Sequence, residues 1–145
     1  MKFICATMCF LLSGVVFSSE ADNHHNLSKE LLACGYFYKI LPEINEQLSD
    51  ADRAKKLDEL SEVNASLAIF ISGKEYVNGV IESAVSNLES EINALEKENG
   101  LNGYVENKIH ACTIALETAK NIKRKKIILR NTTLVTAHTS GKGRS

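Results

Sequence analysis

The chain has few of the residues that interrupt helices. Among its 145 residues there are one proline, eight glycines and no tryptophan. No stretch alternates polar and apolar residues for long enough to form a strand, and no long-period repeat is visible. Because proline and glycine are the residues that most disfavour helix interiors, these absences favour an all-α fold.

The motifs of several cofactor and catalytic classes are also missing. There is no Cys-x-x-Cys pair, no Cys-x-x-Cys-His sequence, no Glu-x-x-His repeat and no glycine-rich loop followed by Lys and Ser or Thr. These absences exclude covalent haem, a di-iron bundle and a phosphate-binding loop. His110 lies beside an apolar stripe, and Glu106 four residues earlier gives it a surface contact rather than a catalytic partner. We therefore predict a protein that is not an enzyme and has no cofactor.

Residues 1–21 have the pattern of a secretory signal peptide. Met1 and Lys2 precede an apolar run over residues 3–17, and small residues stand at Ser19 and Ala21, the two positions that a signal peptidase reads. The run is shorter than the roughly 20 residues of a membrane helix. We predict cleavage after Ala21 and a periplasmic or secreted protein.

Cleavage after Ala21 also determines which cysteines and methionines remain in the mature chain. Both methionines leave with the leader, as do Cys5 and Cys9, so the mature chain has no methionine to bind haem and two cysteines, Cys34 and Cys112. We predict that these two form a structural disulfide in an oxidising compartment. Closing a loop of this length stabilises a fold by ~4–5 kcal/mol in the chain-entropy account.

Apolar residues recur every three or four positions in four segments after the leader, which predicts four helices. The first should take Asn26 or Ser28 as its N-cap and bend near Pro42, since proline removes a backbone donor. The second should begin at Ser49 or Asp50 and end at Gly73. The third should close at Asn99 and Gly100, and the fourth should follow a turn that ends at Gly103. We predict an antiparallel four-helix bundle whose first and last helices are joined by the disulfide.

The net charge of −1 conceals a division between two parts of the chain. From Asp22 to Glu117 there are 8 basic and 17 acidic residues, a net charge of −9, whereas from Thr118 to Ser145 there are 8 basic residues and no acidic one. A core cannot accept the four adjacent cations of residues 123–126. We therefore predict a bundle domain over residues 22–122 and a basic, disordered tail over residues 123–145.

One candidate site lies at the predicted mature N-terminus. If cleavage frees the amine of Asp22, that amine, the backbone amides of Asn23 and His24 and the His24 imidazole form a short chelate suited to Cu(II) or Ni(II). This pattern resembles the amino-terminal copper and nickel motif. The alternative interpretation is a frayed polar terminus.

A second candidate is the aromatic run Tyr36-Phe37-Tyr38. Three consecutive residues span about 200° of a helix at roughly 100° per residue, so they cannot all face one core. We expect one tyrosine at the rim of the bundle or on a partner surface.

The third candidate is the basic tail. Lys123, Arg124, Lys125 and Lys126 are followed by apolar residues 127–129, which suits an anionic surface such as phospholipid or the acidic body of a second copy. Nucleic acid is not expected, because no aromatic residue lies among the charges for base stacking.

These observations predict a small exported helical protein that acts by protein–protein interaction. The short leader, and an Asn64 sequon placed inside a helix, favour the bacterial envelope, with another envelope protein or a homodimer as partner. An inhibitor or an immunity-like factor is one such class. The alternatives are Cu(II) or Ni(II) binding at the N-terminus and association of the tail with an anionic membrane surface.

Overall fold

The computed structural model describes residues 19–45, 48–97 and 101–139, and this part of the chain forms four α-helices and no strand. They are α1 (Glu20–Ile44), α2 (Ala51–Ser72), α3 (Lys74–Lys97) and α4 (Leu101–Thr139). The prediction of an all-helical fold with four helices is confirmed. Residues 1–18 of the predicted signal peptide and residues 140–145 of the predicted tail lie outside the described residues.

Helix α1 begins earlier than the sequence predicted. Its N-cap is Ser19, whose Oγ accepts the Asp22 N–H at 3.1 Å, while the Ser19 N–H donates to the Asp22 carboxylate at 3.3 Å. This reciprocal capping box replaces the predicted N-cap at Asn26 or Ser28. The predicted cleavage after Ala21 therefore falls in the first turn of α1. Pro42 lies in the last turn, and α1 ends two residues later.

The start and end of α2 were both predicted correctly. Asp50 caps the helix by accepting the Asp52 N–H at 3.0 Å. Gly73 ends it with a φ of 88° and is the only residue between α2 and α3. Glycine adopts this positive φ without the steric cost that a side chain would bring, so a one-residue connection is feasible here.

Helix α4 continues to Thr139, through most of the segment that the sequence predicted to be disordered. No glycine or proline occurs between Gly103 and Gly141. Once a helix is nucleated, each further residue adds one backbone hydrogen bond, and lysine and arginine are good helix formers that also oppose the negative end of the helix dipole. The helix therefore continues past residue 122, where the packed part of the fold was predicted to stop.

Two buried clusters form the core, and α1 contributes to both because it packs against each of the other three helices. One cluster contains Leu31, Leu32, Leu67, Ala68, Ile71, Val77, Ala84, Ala115, Leu116 and Ala119. The other contains Cys34, Phe37, Tyr38, Leu41, Leu88, Ile92, Val105 and Cys112. The Cys34–Cys112 disulfide lies in the second cluster and is fully buried, with the two Cα atoms 5.5 Å apart. It ties α1 to α4.

Helices α1 and α2 approach each other closely at a glycine. A methyl group on Gly35 would lie 3.1 Å from the backbone oxygen of Ser61, tighter than an ordinary contact. Nearby, Asn64 is fully buried and donates to the Leu60 oxygen at 2.8 Å. Glycine at position 35 therefore lets the two backbones come together.

Candidate functional site

The residues of the predicted metal motif lie in the first turn of α1. Asp22 is exposed and accepts the Ser19 hydroxyl at 2.7 Å, which lowers the pKa of the Asp22 carboxyl. The Asn23 N–H donates to the Ser19 oxygen at 3.1 Å, and His24 Nε2 lies 3.9 Å from Glu20 Oε1. Among the described residues no group of three or more His, Cys, Asp or Glu side chains is arranged to hold a metal ion. The motif requires a free amine on Asp22, so it stays a prediction that depends on cleavage.

The histidine after the motif belongs to a packed network instead. The His25 ring stacks on Tyr76 with the centroids 3.8 Å apart, and the Tyr76 hydroxyl donates to the His25 oxygen at 3.4 Å. Beside them the buried Ser28 hydroxyl lies 2.7 Å from that of Ser72, which donates to the His24 oxygen at 3.1 Å. Small polar residues on otherwise apolar stripes were the one sequence signal for this network, and sequence analysis did not interpret it.

The structure separates the two tyrosines of the aromatic run. Tyr38 is 4% exposed and its hydroxyl hydrogen-bonds with Thr113 of α4; burial raises the pKa of Tyr38. α4 therefore covers Tyr38, and Tyr36 is the tyrosine of the run that lies at the rim of the bundle. Tyr36 is partly exposed and donates to Glu89 of α3 at 2.6 Å, a bond that raises the pKa of Tyr36.

A second tyrosine–glutamate bond joins α4 to α3. The Tyr104 hydroxyl donates to Glu91 Oε2 at 2.7 Å, and Lys108 Nζ lies 3.8 Å from the same oxygen. Burial, followed by the bond to Glu91, raises the pKa of Tyr104 far above its ordinary value. The sequence offered no signal for this pair, since the partners lie on different helices.

The four predicted basic residues of α4 face two directions. The ammonium groups of Lys123 and Lys126 lie 5.6 and 5.7 Å from the centroid of the Phe70 ring on α2, within cation–π distance. Arg124 and Lys125 are exposed, and Arg124 contacts Asn121 at 3.5 Å. Sequence analysis missed this contact, because it depends on how α2 and α4 pack against each other.

Large apolar side chains are exposed directly after these cations. Ile127 is 45% exposed, Ile128 63% and Leu129 66%. We call the part of α4 from Lys120 to Arg130 the basic segment. It contains six Lys and Arg residues and no acidic residue, so it is the most cationic part of the described surface and one of its most apolar.

A groove with the opposite charge pattern runs between α2 and α3. It encloses about 200 Å³ and has Leu32 and Gly35 of α1 as its floor. Its walls are Ser61 and Ala65 of α2 and Ile81 and Val85 of α3. Exposed carboxylates lie on the same helices three or four residues from the wall residues, at Asp58, Glu82 and Glu89. We call this the acidic-rimmed groove; sequence analysis found the net negative charge of residues 22–117 without locating the groove.

No helix within the described ranges has both the length and the hydropathy of a membrane span. Comparison with known proteins finds no matching family model, no similar curated protein and no similar solved structure.

Proposed function

We propose that this chain is a small exported binding protein of the bacterial envelope that acts through protein–protein interaction rather than catalysis, and that the basic segment is its contact surface. The observation that carries the proposal is the exposure of Ile127, Ile128 and Leu129 beside Arg124 and Lys125 on α4. Exposed large apolar residues rimmed by charge are typical of interaction surfaces. An inhibitor or immunity-like factor would use such a surface.

The proposed export is supported by the leader pattern and by the buried disulfide, since disulfides persist mainly in oxidising compartments. A bacterial source is supported by Asn64, the acceptor residue of one sequon, which is fully buried inside α2 and so is closed to glycosylation in the folded protein. Cys34 and Cys112 are the only cysteines that remain after cleavage at Ala21.

An acidic protein suits the basic segment better than a membrane surface does. Helices that lie in a membrane interface concentrate their apolar residues on one face. Residues 127–129 are consecutive, so at roughly 100° per residue they spread over about 200° of the helix. A partner protein that partly encloses the helix can contact all three, whereas a flat surface cannot.

We propose that the four helices form an antiparallel bundle, on the basis of the order of the contacts along them. This arrangement sets the direction in which α4 leaves the bundle. Along α1, Ser28 lies near Ala68 while Gly35 lies near Ser61, so α1 and α2 run in opposite directions. The remaining pairs give the same up-down-up-down order: His25 with Tyr76, Tyr36 with Glu89, Cys34 with Cys112 and Phe37 with Tyr104. In this arrangement, with a bend in α1 near Pro42, the basic segment leaves the bundle beside the α2–α3 connection.

The proposal can be tested by cross-linked capture from an envelope fraction with the oxidised protein. Ile128→Ser combined with Leu129→Ser should lower capture of the bound partner at least tenfold. Ile114→Ser is the matched control, because Ile114 is 55% exposed on the same helix outside the basic segment. Equal capture by both variants would overturn the proposal. Binding to vesicles that contain phosphatidylglycerol, with no protein captured, would favour the membrane alternative.

A second candidate is Cu(II) or Ni(II) binding, and one observation favours it. Cleavage after Ala21 removes Ser19, whose backbone oxygen accepts the Asn23 N–H, and so frees the amide that the motif requires. Asp22, Asn23 and His24 would then hold the ion. Cu(II) titration of the processed protein should give a d–d absorption band that saturates near one equivalent, and His24→Ala should remove it. A processed protein without that band would rule out this function.

A further inference from the structure

We propose that the acidic-rimmed groove binds the basic segment of a second copy of this chain. The inference rests on the proposed function, because it uses the same basic segment, and it names one protein that this segment contacts. The inference is based on the complementary charge and hydropathy of two surfaces that lie on different sides of the molecule.

The two surfaces are complementary in charge. The basic segment carries six cations and no anion, and the part of the chain from Asp22 to Glu117 has a net charge of −9. Within that acidic part, the exposed carboxylates of Asp58 on α2 and of Glu82 and Glu89 on α3 lie three or four residues along their helices from the groove walls. Lys39 also lines the groove, and it is the only charged residue among those that do. Opposite fields of this kind steer association and fix its orientation.

The two surfaces are also complementary in hydropathy. Ile81 in the groove wall is 41% exposed, and it lines the groove together with the apolar side chains of Leu32 and Val85. Ile128 and Leu129 of the basic segment are exposed to a greater degree. Docking a helix into the groove would remove these side chains from water. Burial of apolar surface stabilises a complex by about 25 cal/mol per Å², and the cost of association is subtracted from this gain.

The basic segment cannot reach the groove of its own molecule. Lys123 and Lys126 lie against Phe70, and Phe70 is about 140° around α2 from the wall residue Ala65, at roughly 100° per residue. A continuous helix cannot fold back across α2. The occupant must therefore be a second molecule, and reciprocal docking of two copies would close the assembly as a symmetric dimer.

Charge reversal with rescue tests the inference. One variant reverses the segment, with Arg124→Glu and Lys125→Glu; the other reverses the rim, with Asp58→Lys and Glu82→Lys. All four side chains are exposed, so the fold should tolerate the changes. Sedimentation of the oxidised protein at low salt should show a dimer for the unmodified chain, and a dissociation constant at least tenfold higher for each variant alone. An equimolar mixture of the two variants should restore association. In the mixed dimer the acidic segment of one variant meets the basic rim of the other, and the unmodified segment meets the unmodified rim.

The control is Glu106→Lys, which changes an exposed charge on α4 outside both surfaces and should leave the dissociation constant unchanged. Monomeric unmodified protein at high concentration would overturn the inference, as would two variants that fail to associate when mixed. The proposed function fails separately: a monomer that still captures a partner through Ile128 and Leu129 keeps that function and loses only the self-association.

Discussion

The two halves of α4 share one backbone conformation in very different surroundings. In residues 101–122, Val105, Cys112 and Leu116 are buried against the core, whereas in residues 123–139 the apolar residues Ile127, Ile128 and Leu129 are exposed. The first half is stabilised by burial and by the disulfide. In the second half, Lys123 and Lys126 contact the Phe70 ring, and backbone hydrogen bonds and helix propensity favour the helix. Continuity of a helix therefore says little about how strongly each part is held.

Removing the disulfide should have the largest effect, and only on the packed half. It closes a loop with a sequence separation of 78 residues, so replacing both cysteines by alanine should lower the free energy of unfolding by about 4–5 kcal/mol. Urea denaturation followed by circular dichroism measures this change. Hydrogen exchange should show loss of protection in residues 105–119 and little change beyond residue 124. An unchanged denaturation midpoint would mean that the bond contributes nothing to the fold.

A pair of leucine truncations compares the two halves directly. Leu116 is 7% exposed and Leu129 is 66% exposed. Leu116→Ala should cost ~2–4 kcal/mol, because it removes buried methyl groups and leaves a cavity, whereas Leu129→Ala should change stability by less than about 0.5 kcal/mol. Similar values for the two variants, measured by urea denaturation, would show that the second half of α4 is packed in solution.

Sequence reasoning succeeded where a local pattern determines the structure. Asp50 and Gly73 were assigned correctly because capping and positive φ depend on neighbouring residues alone, and the cysteine pair followed from counting and compartment. Ser19 was missed although its capping box is equally local, because the same residues suited a cleavage site.

The surroundings of side chains were harder to predict. Helical periodicity gives a residue's direction but not which helix faces it. Tyr38 is covered by α4, and Phe70 meets two lysines rather than the core alone. The tyrosine–glutamate bonds of Tyr36 and Tyr104 join residues far apart in sequence or on different helices, so no spacing rule identifies them. The acidic-rimmed groove required the same tertiary information.

A proline in the second half should disrupt helix without unfolding the protein. Ile128→Pro removes a backbone donor and crowds the carbonyl of Arg124, at a local cost of roughly 3 kcal/mol. Because Ile128 is 63% exposed, we expect less helical circular dichroism and a melting temperature within ~1 °C of the unmodified protein. Ala119→Pro, at a fully buried position of the same helix, is the contrasting variant and should unfold the domain. A large fall in melting temperature for Ile128→Pro would show that the two halves are coupled.

The smallest effect should appear at alkaline pH and should come from the packed half, which contains Tyr104. Its pKa is raised in the folded state, chiefly by burial, so the protonated phenol is favoured by folding. The stability linked to this group is fully present below the unfolded pKa of about 10 and is lost as the pH rises above it, because the unfolded chain then releases the proton first.

The pKa values of Tyr36 and Tyr38 are also raised, so the test compares the unmodified protein with Tyr104→Phe, which keeps both of these tyrosines. Between pH 8 and pH 11 the urea midpoint of the unmodified protein should fall further than that of Tyr104→Phe. Parallel falls would show that the Tyr104 phenol titrates alike in the folded and unfolded chains.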